Sequence, residues 1–210
     1  MTTAAGSGHL TSSLSAVELM TGLMFGGVWR ADVTRPDYPN NDRLIFSKGH
    51  AAPLLYTLYS VAGAFPAARL LTLRQFGSPL EGHPMPRFPY TEAPTGSLGQ
   101  GLSVALGEAM AAHLQRLSYR VYCLLGDSEM AEGSVWEAIQ LAGFRQVPGL
   151  IGIIDCNRLG QSGPTMTQHN IRALAARVRS FGWATIGLDG HSLDQVTEAY
   201  RQAAKIKNQP

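Results

Sequence analysis

Apolar residues open the chain at a helical interval. In TSSLSAVELMTGLMFGGVW, Leu14, Val17, Leu19, Met20, Leu23 and Met24 follow Ser and Thr caps, which predicts a helix ending near Gly26-Gly27. A loop leads to a short apolar run, Leu44 to Phe46, and the turn Ser-Lys-Gly-His. AAPLLYTLYSVAG predicts a second helix, with Pro53 tolerated in its first turn and Gly63 as its stop. A short helical stretch is expected from Pro66 to Phe76, and then the proline- and glycine-rich segment 77–101 excludes a regular element. A connection of that length in a compact domain is usually functional or disordered.

From Gly99 the pattern becomes regular. Helices are predicted over 101–117, 134–144, 171–181 and 193–206, alternating with apolar strands over 119–125, 150–154 and 183–188. Such alternation implies an α/β fold whose mainly parallel sheet is covered by helices on both faces, a three-layer sandwich. After KIKNQP no strand follows to complete another βαβ unit, so a single domain, truncated, is expected over 1–210. In the Ala-rich helix, Gly101, Ala105 and Ala109 share a face that would meet another helix or a second subunit.

Charged residues make up only 15% of the chain, below the roughly 25% of ordinary domains, so part of the surface is expected to be covered by a partner or a missing part of the polypeptide. The net charge of +2 comes without a basic cluster interleaved with aromatics, and no nucleic-acid footprint is visible. The amino terminus lacks a secretory pattern and no long apolar run is present, so neither membrane insertion nor export is expected and the cytoplasm is the default compartment. Cys123 and Cys156 lie in apolar runs and read as reduced, structural thiols.

Chemistry gathers where strands end. LLGDS and IIDCNRLG both close on polar turns at the carboxyl edge of the expected sheet, where open α/β folds bind ligands. Asp127, Asn157 and a backbone carbonyl such as that of Leu159 are hard oxygen donors. With two phosphate oxygens and a water they would complete a Mg²⁺ site, the phosphates resting on the amides after Gly126. Taken singly, Asp127 and Asn157 read as well as turn or cap residues. Glu129 reads as a solvated acid of a first helical turn. Glu132 is expected to lie deeper, either as a helix-start acid or hydrogen-bonded to a second carboxyl group.

Three histidines each follow a glycine within a turn: His9 in GSGHL, His50 in SKGHAAP and His83 in EGHPMP. Converging, they would supply hydrogen bonds and proton transfer near neutral pH; singly, each reads as a surface turn histidine. His113, His169 and His191 read as structural or exposed, with His191 a candidate cap. TGSLGQG departs from the dinucleotide-binding glycine order and is better read as a close backbone approach to a flat ligand. The Gly-Asp-Ser sequence also raises a serine hydrolase with Ser128 as nucleophile, but no nucleophile-elbow pattern surrounds it, and Asp189 and His191 stand only two residues apart.

In order along the chain, SGH, NDRLIFSKGHAAP, GHP, TGSLGQG, SYRVYCLLGD, EGSVWEA, NRLGQSGP and DGHS resemble the diphosphate-binding N-terminal domain of the transketolase family. The resemblance implies the thiamine diphosphate-binding type of α/β fold and transfer of a two-carbon ketol unit between sugar phosphates, with thiamine diphosphate and Mg²⁺, Ca²⁺ or another divalent cation. It assigns the metal to Asp127, Asn157 and the Leu159 carbonyl. Gly126, Ser128 and His50 would lie by the diphosphate, and Gly96, Ser97 and Leu98 would line the thiamine rings. His9 and His83 would face the substrate, with Lys48 and Gln161 nearby in the pocket. Glu132 would hydrogen-bond, across a subunit boundary, to a glutamate of the pyrimidine-binding domain. Nothing in this chain resembles that domain or the C-terminal one, so a homo-oligomer or a partner supplying the missing half is expected. The alternative is a non-catalytic, transketolase-like binding or regulatory protein. Ser128 replaces the usual third residue of Gly-Asp-Gly, and Leu10 a usual proline.

Overall fold

The computed structural model describes residues 1–160, 163–168 and 170–210. Helices α1 (Thr2–Ala5), α2 (Leu10–Leu14) and α3 (Val17–Phe25) precede strand β1 (Arg43–Phe46) and helix α4 (Ala52–Val61). Helix α5 (Gln100–Leu114), strand β2 (Val121–Gly126), helix α6 (Gly133–Phe144), strand β3 (Leu150–Asp155) and helices α7 (Ile171–Ser180) and α8 (Leu193–Ala203) follow. The strands form a parallel sheet in the order β1-β2-β3, with Phe46 opposite Leu124 and Gly126 opposite Asp155. This register brings the polar strand ends to one edge.

Every residue of β2 is buried, as expected of a central parallel strand sandwiched by helices. Its side chains alternate between two cores. Tyr122 and Leu124 join Phe46 and residues of α3, α4 and α8 on one face; Val121, Cys123 and Leu125 join Ile45 and residues of α5, α6 and α7 on the other. The three-layer α/β expectation is therefore met. Ala105 and Ala109 point into the second core and Gly101 closes on Ser47, so the small-residue face of α5 packs within this chain rather than facing a second subunit. Both cysteines are free thiols, and burial pushes Cys156 up to about 12, which suits a structural role.

Three local expectations change. The single helix over residues 11–26 is broken into α2 and α3, because the Ser13 hydroxyl donates back to the His9 carbonyl and the Ser15 hydroxyl is drawn out of the helix line to donate to Asp155. The stretch 66–76 keeps only a 3₁₀ turn, Ala67–Thr72, since Arg74 takes a left-handed φ of 61° and its amide turns back to the Leu80 carbonyl. The strand expected over 183–188 does not pair with β3. A cleft of about 780 Å³, lined by Ile151, Ile153, Ile186 and Leu188 among others, lies between them. Trp183 instead anchors this segment to α6 by donating its indole N–H to the Ile139 carbonyl, and the Ala184 amide donates to Pro210. Among the described residues no helix is long and apolar enough to cross a membrane.

Candidate functional site

The glycine-rich segment is seated on the turn after β1. The Thr95 hydroxyl donates to the Phe46 carbonyl at 2.6 Å, and a Cβ on Gly49 would lie 2.8 Å from the Thr95 carbonyl carbon. Gly99 takes φ 88°, and a Cβ there would stand 2.8 Å from Cβ of Glu132, so both backbone conformation and contact require glycine. Gly96 faces His83, while Ser97 and Leu98 are exposed beside it. A loop with few side chains in its way is thus held against the carboxyl edge of the sheet.

The three turn histidines converge on the same region. His9 and His50 meet edge to face with centroids 5.3 Å apart, and His83 packs against Gly96. Burial, followed by the Lys48 charge and the His9 and His83 rings, pushes His50 down to about 4. Burial, then Arg74 and His9, also lowers His83. His50 is therefore a neutral imidazole at pH 7, suited to accepting or relaying hydrogen bonds. The unfolded chain, with histidine near 6.5, takes up this proton first, so the His50 contribution to stability should be lost as pH drops from about 6.5 to about 4 and then level off. Denaturant midpoints at pH 7 and 4.5 test this: His50→Gln should lose less stability over the interval than the wild type, and equal losses would contradict it.

At the next strand ends, Asp127 is buried and its amide donates to the Asp155 carbonyl. Its carboxylate accepts from the Ser128 amide at 3.0 Å, the Arg158 amide at 2.8 Å and the Thr165 hydroxyl at 3.1 Å. The Asn157 side-chain oxygen accepts from the Leu159 amide at 2.9 Å. A carboxylate offers about four lone-pair positions and an amide oxygen two, so, counting donors among the described residues, each keeps one for a cation. Leu159 is exposed, at a bridge to Pro164. Among the described residues no three His, Cys, Asp or Glu side chains gather into a metal cage. The donors at hand are one carboxylate and neutral oxygens, the kind that leaves Mg²⁺ to be completed by phosphate and water. By donor chemistry and remaining lone pairs the residues fit the group. Ser128 lies in a 3₁₀ turn without positive φ, so its Cβ introduces no backbone strain. The hydrogen bonds of the described residues give its hydroxyl no imidazole partner, leaving the hydrolase reading without support.

The two glutamates exchange places relative to the sequence reading. Glu129 is wholly buried, whereas Glu132 is exposed beside Gly99. The 3₁₀ turn Ser128–Ala131 explains the reversal: it rotates Glu129 inward beneath Gly126 and leaves Glu132 at the start of α6. Burial raises the Glu129 carboxyl, opposed by hydrogen bonds from Ser47, Gly99 and Gly126. His191 does not cap α8; Ser192 does, and the His191 ring instead meets Glu18 at 3.1 Å. Gln161 and His169 lie outside the described residues.

Sequence reasoning also missed the bond that ties these turns together. Lys48 (1% exposed) donates to Asp155 (5% exposed) at 2.6 Å and to the Ser12 carbonyl at 3.0 Å. Ser15 donates to the same Asp155 oxygen and accepts from Asn157 at 3.4 Å. The available signal was one cation at the end of β1 and one acid at the end of β3, two strands away in a parallel sheet.

Comparison with known proteins places the fold in a family. The family described as transketolase, thiamine diphosphate binding domain, matches residues 1–210. Mouse transketolase is 50% identical over all 210 residues, which cover 33% of its length, so the chain spans about a third of such relatives. The 6-deoxy-6-sulfo-D-fructose transketolase subunit SqwG of Clostridium sp. (strain MSTE9) is 37% identical over 206 residues, 98% of this chain and 74% of that protein. The crystal structure of Campylobacter jejuni transketolase superposes with a TM-score of 0.91 at 30% identity, covering 99% of this chain and 34% of the other. A match along the entire chain, in sequence and in backbone alike, makes this protein a member of the transketolase family, in its thiamine diphosphate-binding N-terminal domain.

Proposed function

We propose that this chain is a single diphosphate-binding domain of a cytoplasmic transketolase-type enzyme, transferring a two-carbon ketol unit between ketose and aldose phosphates once a partner supplies the pyrimidine-binding domain. The observation that carries the reading is the convergence, on one sheet edge, of Asp127 and Asn157 with the turns bearing His50 and Gly96. The relative named as a transketolase subunit, most of whose length this chain covers, supports division of the activity between polypeptides.

In this reading Asp127, Asn157 and the Leu159 carbonyl hold Mg²⁺ or Ca²⁺. Gly126, Ser128 and His50 bind the diphosphate, and Gly96, Ser97 and Leu98 flank the thiamine rings. Bound there, thiamine diphosphate supplies the carbanion chemistry, and the protein contributes binding, orientation and electrostatics. His9 and His83 orient the hydroxyls of the sugar phosphate and exchange protons with them. Glu132, exposed at the start of α6, is free to hydrogen-bond a carboxyl group of the partner, whether a second copy or a separate chain.

Calorimetric titration of the 210-residue chain with thiamine diphosphate tests this. Binding that requires Mg²⁺ is expected. Its absence, in a folded chain that still forms dimers, would favour a non-catalytic binding or regulatory relative. That second reading draws on the three protein donors already on Asp127.

A further inference from the structure

Glu129 joins three segments that are distant in sequence. One carboxylate oxygen accepts from the Ser47 hydroxyl and from the Gly99 amide, the latter at 2.7 Å, and the other accepts from the Gly126 amide at 3.1 Å. Ser47 in turn accepts from the Gly101 amide at 3.1 Å, which leaves its hydroxyl proton for Glu129. The side chain is 0% exposed, so these donors replace water completely.

We propose that Glu129 is a positioning residue that clamps the loop 95–101 to the ends of β1 and β2, fixing the distance between the ring-binding and the diphosphate-binding halves of the cofactor cradle. The assignment rests on the cofactor reading above for what fills the cradle; the clamp itself rests on the hydrogen bonds. Gly96, Ser97 and Leu98 lie on one side of it and Gly126-Asp127-Ser128 on the other. Only a group with two acceptor atoms serves both backbone amides. A glutamine presenting its oxygen to Ser47 and Gly99 turns its NH₂ toward the Gly126 N–H, and the opposite rotamer turns it toward the Gly99 N–H. Either way one buried amide loses its acceptor.

The test compares the wild-type chain with Glu129→Gln, titrating thiamine diphosphate and, separately, inorganic diphosphate, each with Mg²⁺. Thiamine diphosphate should bind about 10-fold or more weakly to the variant, because it needs both halves in register, while inorganic diphosphate should change by less than about 3-fold. Equal losses for both ligands, or no loss for either, would overturn the proposal. A loss confined to the ring-bearing ligand is something a general effect on folding does not produce.

Amide hydrogen exchange separates this from failure of the cofactor reading. If the wild type binds no thiamine diphosphate, that reading fails, and exchange still decides the clamp. The Gly99 or the Gly126 amide should exchange about 10-fold faster in Glu129→Gln, and unchanged rates at both would refute it. Should Glu129→Gln not fold, Ser47→Ala keeps the carboxylate and removes one donor. It should accelerate exchange at Gly101, which loses its acceptor, and leave Gly126 protected; the reverse pattern would also refute the clamp.

Discussion

Lys48→Met should lower the free energy of unfolding by about 3–5 kcal/mol, the range for removing one partner of a buried ion pair. The cost arises because buried Asp155 loses its cation, with Ser15 alone left among the described residues as a side-chain donor, while the Ser12 carbonyl loses its ammonium. Urea denaturation of wild type and variant measures it. A double replacement, Lys48→Met with Asp155→Leu, should recover much of the loss, since an apolar pair of similar volume carries no desolvation cost. A loss below about 1 kcal/mol in the single variant would mean that water reaches Asp155. The consequence reaches the proposed site, because the Lys48 bond to the Ser12 carbonyl fastens α2, and with it His9, to the turn that carries His50.

The second large effect concerns the proposed metal ligand. Asp127→Asn should weaken Mg²⁺-dependent binding of thiamine diphosphate by about 100-fold, equal to about 2.7 kcal/mol. A unit charge about 4 Å from an ion of opposite sign contributes about 4 kcal/mol per charge at an effective dielectric of 20, and the asparagine oxygen retains only part of this. The fold should barely notice: the asparagine oxygen still accepts from Arg158 and Thr165, and one hydrogen bond, from the Ser128 amide, is lost at about 1 kcal/mol. Calorimetry on both proteins, beside their denaturation curves, separates the two quantities. Unchanged metal-dependent affinity in Asp127→Asn would remove Asp127 from the metal site.

Much of this architecture was legible from periodicity. The uninterrupted apolar run Val121 to Leu125 marks a strand buried on both faces, and the caps and glycines bound α5 and α6 to within a residue or two at most ends. Convergence of His9, His50 and His83 was also legible, because each follows a glycine in a turn beside a predicted element. The break between α2 and α3 was not: it depends on the Ser15 hydroxyl finding Asp155, 140 residues away. The segment 183–188 has the composition of a strand, yet pairing needs a neighbour within hydrogen-bonding distance, and a cleft intervenes. Glu129 and Glu132 illustrate the limit most clearly. Three residues apart in a polar turn, they look alike in sequence, and only the 3₁₀ geometry decides which carboxylate meets Ser47, Gly99 and Gly126.

The central claim is that these residues form one half of a transketolase active site. It is tested most directly by assaying ketol transfer between sugar phosphates with thiamine diphosphate and Mg²⁺, using this chain alone, a polypeptide carrying a pyrimidine-binding domain alone, and the two combined. Activity should arise only in the mixture and should fall when Glu132→Gln replaces the wild type. A mixture that forms a complex and binds the cofactor yet transfers no ketol unit would contradict the account, as would full activity from this chain by itself.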